Sequence, residues 1–133
     1  MSLIEYFINQ KPSVEEVISV FESSGIKRPT QDLSRIQRMI DHANLIVTAH
    51  TNNQLVGLAR SLTDFSYCCY LSDLAVRKEF QSQKIGSRLL EITREQIGEK
   101  SMLLLLSAPN AMGYYPKVGF EKVENGWIVK RQS

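Results

Sequence analysis

Cysteine is scarce in this 133-residue chain, and the two present, Cys68 and Cys69, are adjacent. Successive side chains of a strand point to opposite faces, so this pair does not bridge, and a disulfide framework is excluded. Neither thiol stands in a context that activates it, and both are expected to pack in the interior, where free cysteine commonly lies. Histidine is equally rare. His42 and His50 read as structural or surface residues, and no metal is expected. No charge sign dominates: 16 Lys+Arg against 14 Asp+Glu leave +2, with no long basic run, which argues against a dedicated nucleic-acid binder. No window approaches the ~20 apolar residues of a membrane span. The first residues, MSLIEYFINQK, lack the basic-then-apolar order of a signal peptide. A cytoplasmic location without membrane attachment is the expectation. A linker and an internal repeat are also missing, and 43% of the residues are hydrophobic, so one core in a single domain, 1–133, is expected.

What is present alternates between strand and helix patterns. LIEYFI (3–8) reads as a first strand. Ser13-Val14-Glu15-Glu16 is a capping box, followed by Val14, Val17, Ile18 and Phe21 at helical spacing and stopped by Gly25. A loop over 26–31 precedes a second helix that starts at Asp32 and buries Leu33, Ile36 and Ile40. LIVTAH (45–50) and QLVGLARSL (54–62) flank a Thr51-Asn52-Asn53 turn and form a hairpin, and CCYLSDLAV (68–76) is a further strand. Residues 85–98 place Ile85, Leu89, Ile92 and Ile97 on one side of a helix, and MLLLL (102–106) suits a strand buried on both faces. A short helix is expected over Ala111–Lys117, with strands near 119–123 and 127–131. The segment 68–106 is then a right-handed βαβ crossover with parallel strands. The fold class is α/β (α+β mixed), a mixed sheet of about six to seven strands flanked by helices, ordered β-α-α-β-β-β-α-β-α-β-β.

The connection EFQSQKIGSRLL (79–90) leads from a buried strand into a helix with a single glycine, Gly86. Helix N-termini present unpaired amides and a partial positive charge, and Arg77, Lys78, Lys84 and Arg88 lie around this one against Glu79. That suits a diphosphate. An ordinary connection with a solvated basic patch gives the same pattern.

Read with its surroundings, YLSDLAVRKEFQSQKIGSRLL resembles motif A of the GCN5-related N-acetyltransferases (GNAT), and NAMGYYPKVGF downstream resembles the C-terminal signature of that family. The resemblance implies a GNAT-like fold and an acetyl-CoA-dependent N-acetyltransferase acting by direct transfer in a ternary complex. It implies that the amides of Gln81, Ser82, Gln83, Lys84, Ile85, Gly86 and Ser87 bind the pyrophosphate of acetyl-CoA. Leu74, Ala75 and Val76 would pair with the pantetheine arm and polarise the thioester carbonyl. Tyr115 matches the tyrosine that protonates the departing thiolate, a role that suits a phenol protonated at neutral pH. Asn110 and Lys117 fall on the cofactor side of the signature; for Asn110, capping the short helix is an equal reading. Asp73 is a candidate general base, with a buried aspartate bonded to backbone as the alternative.

Two positions depart from the family pattern. Lys84 stands at the middle glycine, where its side chain must point away or reach to phosphate. Pro116 directly follows Tyr115, so the short helix is expected to end or kink there. The acceptor is a small-molecule amine or a protein amine, shaped by residues 24–34, including Lys27 and Arg28, and by the region around Trp127. A homodimer is compatible with the sequence. The alternative function is a non-catalytic CoA-binding regulatory or interaction module on the same fold. A nucleic-acid-binding domain is disfavoured by the charge.

Overall fold

The boundaries of the first two helices follow capping chemistry written in the sequence. In the computed structural model, which describes residues 3–133, helix α1 spans Val14–Ser24. Glu16 N donates to Ser13 Oγ at 3.2 Å and Ser13 N donates back to Glu16 Oε1 at 3.1 Å, closing the capping box. Gly25 ends the helix at φ 82°, with its N–H on Phe21 O. Asp32 caps α2 (Leu33–His42) by accepting from Arg35 N at 3.1 Å. Helix α3 (Ile85–Ile97) begins without any side-chain cap.

Five strands, β1 (Glu5–Ile8), β2 (Leu45–Thr51), β3 (Gln54–Thr63), β4 (Cys68–Val76) and β5 (Met102–Leu105), form one sheet in the order β1-β2-β3-β4-β5. The first four pair antiparallel, and β4 and β5 pair parallel across the α3 crossover, which makes the sheet mixed. Asn52 and Asn53 turn β2 into β3 with φ 51° and 63°, the left-handed pair that a two-residue hairpin requires.

Strands β2 and β3 are buried on both faces. On one face Leu45, Val47, Ala49, Val56 and Ala59 meet Ile85, Leu89 and Ile92 of α3; on the other, Ile46 and Leu58 meet Val17, Phe21, Ile36 and Ile40 of α1 and α2. Gly57 sets the closeness of α3. A Cβ there would stand 3.2 Å from Ala75 O and 3.3 Å from Leu89 Cδ1, tighter than ordinary packing allows.

Three expectations are corrected. The sheet has five strands rather than six or seven, because residues 119–123 and 127–131 form none; 121–133 are exposed throughout. Alternation gives strand propensity, but a strand exists only against a partner edge. The helix over 111–117 is instead two 3-10 turns, Pro109–Ala111 and Tyr115–Val118. Gly113 separates them, and Pro116 sits in the first turn of the second, where its missing N–H costs nothing. Of the two cysteines only Cys69 is buried; Cys68 is exposed, its Sγ 3.7 Å from Asp64 Oδ2. Among the described residues no helix is long and apolar enough to cross a membrane.

Candidate active site

The candidate site starts where β4 and β5 part. Their pairing ends at Leu71↔Leu105, while β3 stays paired with β4 as far as Val76. One edge of Ser72–Val76 is therefore open. Side of exposure follows from alternation: Ala75 O lies toward Gly57 and Arg77 N donates to Val56 O, both on β3. The backbone groups of Leu74 and Val76 consequently face the open edge. Leu74 and Val76 are partly buried against the α3-side core, and Ala75 is 3% exposed on the other face.

The open edge leads directly into the loop before α3. Gln81 Nε2 donates to Val76 O at 3.0 Å and holds the start of the loop against the strand end. The chain then takes left-handed backbone at Ser82 (φ 73°) and Lys84 (φ 63°). Arg88 N donating to Lys84 O is the first bond of α3. The amides of Ile85, Gly86 and Ser87 thus have no intrahelical acceptor, and among the described residues no backbone carbonyl accepts from Ser82, Gln83 or Lys84. Gln81, Ser82, Gln83 and Lys84 are exposed and Ile85 is buried, anchoring the loop to the core. At Gly86 a Cβ would meet only Tyr114 Oη at 3.6 Å and Val76 Cγ2 at 3.9 Å.

The surrounding charge is less free than its composition suggested. Arg77 donates to Leu55 O and to Ser19 Oγ, so it staples the strand end to α1. Arg88 pairs with Glu91 and Glu95 and lies over the Tyr6 ring. Lys78 and Lys84 remain exposed at the loop.

The two tyrosines sit side by side, ring centroids 5.1 Å apart and nearly perpendicular. Tyr115 also packs edge-on against Phe120 at 5.4 Å. Burial, reinforced by Tyr114, pushes the Tyr115 phenol above its ordinary value, so it is protonated at neutral pH. Tyr114 turns toward α3, where its Oη shares a 3.0 Å hydrogen bond with Ser87 Oγ in the first turn. Asn110 is exposed and caps nothing through its side chain, and Lys117 is exposed.

Asp73 is fully buried with both oxygens engaged. Arg28 Nε donates to Oδ1 at 2.5 Å and Arg60 Nε donates to Oδ2. Arg28 also donates to Ser72 O at 2.7 Å, and Arg60 to Met39 O at 3.2 Å and Ser72 Oγ at 3.0 Å. Arg28 is therefore not a solvated loop cation but the clasp holding the α1–α2 loop to β4. The sequence carried a signal for this. Arg60 is the one arginine or lysine and Asp73 the one aspartate or glutamate within strands β2, β3, β4 and β5, and lone opposite charges in adjoining buried strands require each other.

An open strand edge that delivers an extended ligand onto an uncapped helix N-terminus defines a class of α/β domain suited to a long phosphorylated ligand. Comparison with known proteins carries this further. The acetyltransferase (GNAT) domain pattern matches residues 11–130. The uncharacterized N-acetyltransferase ycf52 of Pyropia yezoensis is 25% identical over 125 residues, covering 89% of this chain and 70% of its own. GCN5-related N-acetyltransferase 1, chloroplastic, of Arabidopsis thaliana is 25% identical over 118 residues, covering 86% of this chain and 59% of its own. A probable acetyltransferase from meticillin-resistant Staphylococcus aureus superposes with a TM-score of 0.82 at 23% identity, covering 97% of this chain and 100% of that one. Aminoglycoside N-acetyltransferase AAC(6')-Iy in complex with CoA gives 0.75 at 13% identity, covering 100% of this chain and 97% of that one. These structural likenesses establish the shared fold. The chain belongs to the GNAT acetyltransferase family, whose members are N-acetyltransferases.

Proposed function

We propose that the chain transfers an acetyl group from acetyl-CoA to an amine acceptor by direct attack in a ternary complex. The observation that carries this reading is the open edge of Ser72–Val76 running into the unpaired amides of 82–87. Acetyl-CoA would supply the acetyl group as an activated thioester. The outward amides of Leu74 and Val76 are donors for the extended arm and for charge developing on the thioester oxygen. The amides of Ser82 to Ser87, with Lys84 exposed beside them, hold the diphosphate. When the acceptor nitrogen bonds to the carbonyl carbon and the carbon–sulfur bond breaks, Tyr115 gives its proton to the thiolate and the proton of the amine leaves to water. Asp73 serves as an anchor rather than the base, since it is buried and each of its oxygens is engaged by a guanidinium that ties β4 to β3 or to the α1–α2 loop. The acceptor is an amine, small or on a protein, and a cytoplasmic setting fits it; the Arabidopsis relative is chloroplastic.

Tyr115→Phe is expected to lower kcat about 10²-fold or more while leaving CoA affinity within a factor of two, as removal of a general acid does. Unchanged turnover would remove Tyr115 from that role. The contact between Tyr114 and Ser87 supports a second assignment, with Tyr114 as the donor. Tyr114→Phe then carries the larger loss. A thermal shift with acetyl-CoA comes first. Saturation at ~100 Kd adds about 2.7 kcal/mol, whereas no shift over a wide range counts against CoA binding altogether. Binding without thiol release across a panel of amines would identify a non-catalytic CoA module.

A further inference from the structure

Ser19, Ser23 and Ser24 stand in the second half of α1, where serine forms helix less readily than alanine. Ser24 serves the helix end: its Oγ donates to Phe21 O at 3.0 Å and accepts from Ile26 N at 3.2 Å. Ser19 and Ser23 are turned elsewhere. Four positions apart, they share one face of the helix beside the buried stripe of Val17, Val20 and Phe21. Both hydroxyls accept from the two residues that follow β4. Arg77 Nη1 donates to Ser19 Oγ at 2.9 Å, and Lys78 N donates to Ser23 Oγ at 3.0 Å.

Those bonds fall where the connection to α3 sets off. A 3-10 turn, Lys78–Phe80, opens it with Arg77 at the N-cap position, and an arginine side chain has no acceptor for the free amides of a turn. Ser23 supplies that acceptor from another element and so caps the turn from outside it. Arg77 is itself fixed by three bonds: N to Val56 O at 2.8 Å, Nε to Leu55 O at 2.7 Å and Nη1 to Ser19. Phe80 packs on the α3-side core, Gln81 holds Val76 O, and Ile85 is buried at the far end. Between these anchors lie the left-handed residues Ser82 and Lys84. The direction taken at Lys78 therefore carries through to where the amides of 82–87 point.

We propose that Ser19 and Ser23 are positioning residues for the diphosphate of acetyl-CoA: two hydroxyls of α1 that do not contact the ligand and set the direction in which the connection presents its amides. The proposal rests on the reading that these amides hold acetyl-CoA. Both contacts are exposed, so water takes the place of a lost hydroxyl beside Arg77 or Lys78 and the fold is kept. What goes is the constraint on direction. Helix propensity adds a contrast that a packing role does not give. Alanine strengthens α1 while removing the hydroxyls, whereas threonine keeps the hydroxyls and weakens α1. Stability and affinity are thus expected to move in opposite directions.

Calorimetric titration of the full chain with acetyl-CoA tests this without any acceptor. The double variant Ser19→Ala, Ser23→Ala is expected to bind roughly five- to tenfold more weakly than wild type, the effect of one or two hydrogen bonds, with an unchanged or higher Tm. Ser19→Thr, Ser23→Thr is expected to bind within about a factor of two of wild type, with an unchanged or lower Tm. With an amine that the wild type acetylates, the alanine variant raises the KM for acetyl-CoA by the same factor and leaves kcat and the KM for the amine in place. Three results overturn the proposal while the acetyl-CoA reading stands. One is wild-type affinity in the alanine variant. Another is a loss of affinity accompanied by a lower Tm. The third is a loss that threonine does not restore. A wild type that binds no acetyl-CoA overturns both.

Discussion

Lys84 occupies a left-handed conformation, φ 63° and ψ 19°, at the position where the family pattern carries glycine. The sequence shows the substitution but not its physical consequence. A side chain at that backbone geometry costs roughly 1–2 kcal/mol, partly offset by the greater freedom glycine has in the unfolded chain. Lys84→Gly is therefore expected to raise stability by about 0.5–1 kcal/mol in denaturant unfolding. The same change removes an exposed cation beside the amides of 82–87, so CoA binding should weaken and lose part of its salt dependence in a titration at two ionic strengths. A gain in stability together with unchanged, equally salt-sensitive affinity would show that the ammonium takes no part. Tyr115 and Tyr114 illustrate the residue scale differently. Their order in YYPKVGF selected Tyr115, yet only the fold shows that Tyr114 reaches Ser87.

At the level of elements, capping and turn chemistry was the most legible layer. The box at Ser13, the stop at Gly25 and the turn at Asn52-Asn53 lie where their sequence signals put them, because each depends on residues within four positions. The β3–β4 connection belongs to this layer too. Asp64 Oδ1 accepts from the amides of Ser66, Tyr67 and Cys68. These bonds, that from Ser66 foremost, hold its carboxyl down to about 2 from an ordinary 3.8. A depressed folded value means the contribution is fully present above about pH 4 and disappears as pH falls through about 2. The Tm difference between the wild type and Asp64→Ala is expected to be constant at neutral pH and to shrink steadily from pH 4 to pH 2. A difference independent of pH would mean the turn is held by its backbone alone. The short C-terminal helix failed as a sequence expectation at this scale. Gly113 and Pro116 divide it into two 3-10 turns, and a helix that short has no cooperative reserve to override them.

Over the whole molecule, Asp73 ties together elements far apart in the chain: β3 through Arg60 and the α1–α2 loop through Arg28. Removing one member of a buried charge network leaves the others unpaired, which typically costs 3–5 kcal/mol. Asp73→Ala is expected to lose that much in denaturant unfolding and to loosen the α1–α2 loop, seen as faster amide exchange around Lys27–Thr30. A loss below 1 kcal/mol with full activity would mean solvent reaches the arginines. By itself the sequence determined the element order as far as β5, the capped helix ends, the βαβ crossover and the family, since these rest on local periodicity, short-range hydrogen bonding and two contiguous motifs. Tertiary structure decided the rest. Pairing of Asp73 with Arg28 and Arg60, the opening of β4 beyond Leu71 and the unpaired state of 121–133 each depend on partners distant in the chain, and a strand pattern does not name the edge it will join.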